Sequence, residues 1–132
     1  MEAALTALLL GDARVKQLAA NKVHWVRAPQ GVVPSYAVLQ VISSRDDYHG
    51  QGASGLADAR VQIDAYDTAY LGAVRLSDAI LAVLSGYRGV VSGVRLQAGF
   101  VDNRRDFPSS SSGDVTPLFR RSADIIIWHS SL

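Results

Sequence analysis

The chain has 132 residues, no cysteine, a formal net charge of +1, and 48% hydrophobic against 19% charged residues. That length suits one core and one domain spanning residues 1–132. The composition excludes a disordered chain, disulfides, thiolate metal sites and a bulk electrostatic attraction to nucleic acid or anionic membranes.

The N-terminal run MEAALTALLLG carries Glu2 and no Lys or Arg ahead of its apolar stretch, the reverse of a signal peptide. No segment reaches the roughly 20 apolar residues of a membrane span, so a soluble protein made in the cytoplasm is expected. Glu2 to Leu10 forms a short helix with Leu5, Leu8 and Leu9 on one face, ended by Gly11. Asp12 caps a second short helix carrying Val15, Leu18 and Ala19. Val23 to Arg27 is a short strand, and Ala28-Pro29-Gln30-Gly31 is a turn.

Tyr36 to Ser43 alternates with both faces fairly apolar, which predicts a central strand covered on both sides. Ser44 to Gly55 reads as a long polar, glycine-rich loop. From Arg60 the period is 2: Val61, Ile63 and Ala65 point one way, and Arg60, Gln62, Asp64 and Tyr66 the other. After Asp67-Thr68, a capping signal, the period becomes 3.6 through Tyr70, Ala73, Val74, Ile80, Leu81, Leu84 and Tyr87, with Gly86 where a helix would end. Val94 to Asp102 alternates again, with Val94, Leu96, Ala98 and Phe100 on one face. Asn103 to Pro117 is a second long loop holding an SSSSG tract, and Phe119 to Trp128 is the last strand. Strands joined by loops favour antiparallel pairing. The expected class is α+β: an antiparallel β-sheet with a long helix and a short N-terminal helix pair packed on it.

Gly50 to Gly55 matches G-x-G-x-x-G, but a strand follows it, not the helix that would hold a pyrophosphate, so a hairpin loop is the better reading. His24, His49 and His129 lie in separate elements without ligand spacing. No serine sits in a nucleophile elbow, and Asp46-Asp47, neighbours that would face opposite ways on a strand, read as two solvated loop acids. No enzyme, cofactor or metal is expected. Arg104-Arg105 and Arg120-Arg121 flank one loop, so a hairpin brings four guanidinium groups together. Asp102, Asp106 and Asp114 could neutralise them locally, or an acidic partner or passing DNA could. Trp25, Tyr48, Trp128 and His129 are aromatic groups of the kind enriched at interfaces. The candidate interface residues are Tyr48, His49, Arg104, Arg105, Arg120, Arg121 and Trp128.

The segments APQGVVPSYAVLQVISSRDDY, RVQIDAYDTAYLGAVRLSDAILAVLSGY and RRSADIIIWH together resemble the small tail-completion, or tail-terminator, proteins of long-tailed bacteriophages and of phage-derived particles such as gene transfer agents. The resemblance spans nearly the whole chain. It implies a structural virion protein without enzymatic residues, sitting in the tail at the head–tail junction. It also implies a homo-oligomeric ring, typically a hexamer, capping the head-proximal end of the tail tube. Its partners would be the tail-tube protein and a head–tail connector or stopper protein, with DNA passing through the lumen. A head-side connector or stopper role is the alternative. Ser44 to Gly55 and Asn103 to Pro117 are the segments expected to make these contacts.

Overall fold

A computed structural model describes residues 1–108 and 118–131. The element order is α1 (Glu2–Leu10), α2 (Ala13–Ala19), β1 (Val23–Trp25), β2 (Tyr36–His49), β3 (Gly52–Asp67), α3 (Tyr70–Leu84), β4 (Gly89–Val91), β5 (Val94–Pro108) and β6 (Phe119–Ser131). Among the described residues six strands form one sheet in the order β1-β2-β3-β6-β5-β4. This is an α+β fold, but the sheet is mixed and not purely antiparallel: β1 lies parallel to β2. A strand of three residues is only about 10 Å long. The ten residues between Trp25 and Tyr36 therefore suffice to return the chain to the same end, which gives a parallel pair in place of the expected antiparallel one.

Asp12 caps α2 as its sequence position suggests, its Oδ1 accepting from the N–H groups of Arg14 and Val15, both at 3.0 Å. The Asp67-Thr68 signal acts differently. Ala69 is the N-cap of α3, without a side-chain bond. Asp67 turns back to accept from the Thr68 N–H at 2.7 Å and lies against Gly72, where a Cβ would collide with its carboxylate.

The period-2 pattern of β3 is realised. Ala59, Val61, Ile63 and Ala65 are buried beneath the helices with Ala37 and Leu39 of β2 and Ala123, Ile125 and Ile127 of β6. Leu5, Leu9, Leu76, Ile80, Leu81 and Leu84 supply the helical side of this core. All three helices lie on this face. β2 is therefore covered by helices on one face only, and β1 pairs with just its first residues. On β5 the expected alternation breaks at Gln97. Leu96 pairs with His129 and Ala98 with Trp128, so one residue is extra and the side chains beyond it change face. Leu96 is buried in the core, whereas Phe100, expected on the same face, is 57% exposed on the other.

The segment Ser44–Gly55 is not a loop. It continues β2 and β3 as a hairpin turning at Gly50-Gln51, with Tyr48 opposite Ala53 and His49 opposite Gly52. Likewise β5 continues to Pro108, so Asn103–Pro108 is strand, and the rest of the SSSSG loop lies outside the described residues.

Candidate assembly interface

The sheet face away from the helices carries Gln62 and Asp64 from β3, Arg120, Ser122 and Asp124 from β6, and Arg105 and Phe107 from β5. Asp64 and Asp124 are 5% and 9% exposed, an unusual burial for carboxylates unless they are paired. Each is paired. Asp124 accepts from Arg60 Nη1 at 3.1 Å, Arg105 Nη1 at 3.2 Å and Asn103 Nδ2 at 3.4 Å. Asp64 accepts from Arg120 Nη2 at 3.0 Å and from Gln62 Nε2 at 3.1 Å. Gln62 Oε1 in turn accepts from Arg105 Nη2 at 3.3 Å, which joins the two carboxylates into one network. The Arg105 and Arg120 guanidinium groups also lie over the Phe107 ring, 5.2 and 4.9 Å from its centre.

The hairpin does bring the four arginines together: Arg104 is opposite Ala123, Arg105 opposite Ser122, Asp106 opposite Arg121 and Phe107 opposite Arg120. The pleat then separates them. Arg105 and Arg120 share the helix-free face. Arg104 and Arg121 lie on the other, where Arg121 bonds Asp106 at 2.8 Å and Asp106 also accepts from the Tyr70 hydroxyl at 2.8 Å. Arg104 is exposed and has no ion-pair partner among the described residues. Of the acids the sequence offered, Asp106 holds Arg121, Asp102 instead pairs with Arg60 at 2.8 Å, and Asp114 lies outside the described residues. The principal acceptors, Asp64 and Asp124, were missed. They come from neighbouring strands, and the signal was an Asp at the centre of each polar-patterned strand face.

The remaining predicted residues sit at the opposite end of the sheet. Tyr48 and His49 lie in the β2–β3 arm, Tyr48 68% exposed, with His49 Nδ1 accepting from the Gln51 N–H at 3.1 Å. Trp128 is half-buried at the arm's base. It borders an open groove of about 470 Å³ with Asp47, Ser54, Leu56, Gln97, Ala98 and Ser130. Trp25 is tied into the fold, its indole N–H donating to Thr6 Oγ1 at 2.8 Å. A larger polar cleft of about 710 Å³ lies between Val26–Val32 and the stacked rings of Tyr36 and Tyr66, which are 4.9 Å apart. Gly50-Gln51 is the hairpin turn and Gly52–Gly55 already belong to β3, so these glycines face no helix N-terminus. No group of three or more metal-ligating side chains occurs among the described residues, and no helix there is long and apolar enough to cross a membrane.

A family model described as "Tail completion protein gp17" matches residues 3–130. The chain belongs to the tail completion protein gp17 family. It is thus a structural protein of a phage-type virion tail. No curated protein matches it in sequence. Among solved structures, a chain of the "Virion of native gene transfer agent (GTA) particle" is similar in fold, with a TM-score of 0.80 at 18% identity. The match covers 99% of this chain and 95% of that one.

Within this tail-completion fold the network of the helix-free face should matter for stability. Asp124→Ala leaves two guanidinium groups without their shared acceptor. The partners are about a third exposed, so the cost is about 2 kcal/mol, less than for a fully buried pair. A melting temperature about 8 °C below wild type is expected by calorimetry, and an unchanged value would show that water replaces the carboxylate.

Acidification tests the exposed carboxylates. Arg121 and then the Tyr70 hydroxyl hold Asp106 below its ordinary pKa, and Arg60 followed by Asn103 do the same for Asp102. A depressed folded-state pKa contributes stability above the unfolded value, about 4, and loses it as pH falls through the folded value. The difference in urea midpoint between wild type and Asp106→Asn is therefore expected to be constant above about pH 5 and to shrink below about pH 4. A difference that grows on acidification would contradict the pairing.

Proposed function

We propose that this protein forms a closed, hexameric ring at the head-proximal end of a tail tube. There it stops tube polymerisation and presents a surface to the head connector, and DNA passes through the lumen without sequence-specific contacts. Family membership supplies the tail. The observation that carries the ring-and-cap reading is the β2–β3 arm. Among the described residues β3 pairs with β6 only from Leu56 onward, so there Gly52–Gly55 and the β2 residues opposite them pair with nothing but each other. An exposed two-stranded arm at the end of a rigid sheet suits contact with a neighbouring component. The similar fold in a gene transfer agent virion supports a particle of that general kind. Tyr48 and His49 of the arm, Trp128 at its base, and the surfaces near Arg104, Arg105, Arg120 and Arg121 are the contact regions under this reading.

Native mass spectrometry of the purified protein, alone and mixed with tail-tube protein, tests it. A closed oligomer, or one formed on tube, is expected. A monomer inert toward tube that binds the head connector would replace the terminator role with that of a connector-side stopper.

A further inference from the structure

The two sides of the sheet are each left half open. On one side β1 covers β2 only at Ala37–Leu39, and the last backbone bond to that edge runs from Val26 N–H to Leu39 O. On the other side β4 covers β5 at Val94–Leu96, and the last such bond runs from Gly86 N–H to Gly99 O. Among the described residues, Val41–His49 of β2 and Val101–Phe107 of β5 therefore present unpaired backbone groups, which are a template for another strand. The free edge of β2 carries Asp46-Asp47 and that of β5 carries Arg104-Arg105. Neither Asp46 nor Arg104 has an ion-pair partner among the described residues.

We infer that these two edges pair with each other between adjacent copies of this chain, extending the sheet from subunit to subunit, with Asp46 opposite Arg104. This deepens the ring reading and rests on it by naming the two surfaces that would close the ring. Three geometric facts carry it. The first is direction. β2, β3, β6 and β5 are successively antiparallel, so β2 and β5 run in opposite senses. A rotation axis preserves the sense of each strand along it, so the β2 of one copy meets the β5 of the next antiparallel.

The second is the step. Val41, Val61, Ile125 and Val101 lie on one rung. From that rung the free edge of β2 runs toward one end of the sheet and the free edge of β5 toward the other. Asp46 is on the rung of Ala57, four away, and Arg104 on the rung of Ala123, two away in the other direction. A copy joined at this register is displaced by six rungs, about 20 Å, over four strands spanning about 19 Å. That corresponds to strands tilted about 45° to the ring axis, close to the tilt that closed β-barrels adopt. The third is the face. Six rungs is an even number; Ala123 is in the core, and Ala57, two residues before core Ala59 on β3 and itself buried, shares that face, so the helix-free faces of neighbouring copies stay continuous. Arg45 and Arg105 then oppose each other, each already neutralised, by Asp58 at 3.5 Å and Asp124 at 3.2 Å.

The absence of native cysteine makes the test direct. Asp46→Cys and Arg104→Cys, both exposed, are prepared singly and together. The double variant should oxidise, or react with a short thiol cross-linker, to a ladder of covalent oligomers. A mixture of the two single variants should give a cross-linked heterodimer, and each single variant alone should give none. Arg104→Asp is expected to weaken association about tenfold, with recovery on adding Asp46→Arg. A closed ring without the cross-link overturns this inference and leaves the ring reading standing. Cross-linking of Asp46→Cys to itself points to a twofold dimer and overturns both. A protein monomeric at every concentration, with and without tube, also overturns both.

Discussion

Replacing Asp47–Leu56 by an Asn-Gly turn is expected to leave the protein folded and to reduce the yield of finished particles to background. Asp46 and Ala57 are opposite each other in the ladder, so a two-residue type I′ loop closes the shortened hairpin in register. Nearly all the removed side chains are exposed and none belongs to the core. The melting temperature should then stay within about 2 °C of wild type, as for surface changes generally. Particle assembly is read in a complementation assay, with electron microscopy of the tails that accumulate. Under a terminator role, loss of the arm leaves tubes of irregular length or tails that do not receive heads. Tyr48→Ala, at an arm side chain that is 68% exposed, should reproduce part of the defect at unchanged stability. Normal particle yield from the shortened protein would remove the arm from the mechanism.

Gly99→Ala is expected to be the most damaging single-methyl change in the fold. An added Cβ at Gly99 would lie well inside van der Waals distance of the Leu84 carbonyl oxygen and 3.4 Å from Ile127 Cδ1. The obstacle is backbone and cannot rotate away. Gly99 is where the end of α3 touches β5, and its carbonyl accepts from the Gly86 N–H at 2.9 Å. Accommodating the methyl group therefore separates α3 from the strand and loosens Leu84, which is fully buried. Overpacking of this kind costs about 3 kcal/mol, which corresponds to a melting temperature about 12 °C lower for a chain of this size. Gly50→Ala is the control, since a Cβ there meets nothing within 4 Å. If the two variants melt together, the close approach of helix and strand is not what holds this end of the sheet.

The candidate interface was legible in part. That one hairpin would bring Arg104-Arg105 close to Arg120-Arg121 followed from loop position alone, and the β5–β6 ladder does so, with Arg105 opposite Ser122 and Arg121 opposite Asp106. What the side chains do there was not legible. Burial of Asp64 and Asp124 depends on arginines reaching across strands 56 and 19 residues away in sequence. Spacing along a chain carries no information about such partners. The arm was hidden for a different reason. Ser44–Gly55 is polar and glycine-rich because both faces of a projecting hairpin meet water, and that composition is the same as a loop's.

Reading along the chain was enough for whatever depends on local periodicity and local capping. The strand-to-helix switch after Tyr66, the buried Val61-Ile63-Ala65 face and the Asp12 cap each need only neighbouring residues. Resemblance across the whole chain added the tail-completion family. The parallel β1–β2 pair, the bulge that sends Phe100 to the surface, the acid partners of Arg60, Arg105, Arg120 and Arg121, and the strand edges left open among the described residues came from the three-dimensional fold. Each of these is set by which distant segments meet and in what register, and a one-residue shift in register exchanges the two faces of a strand.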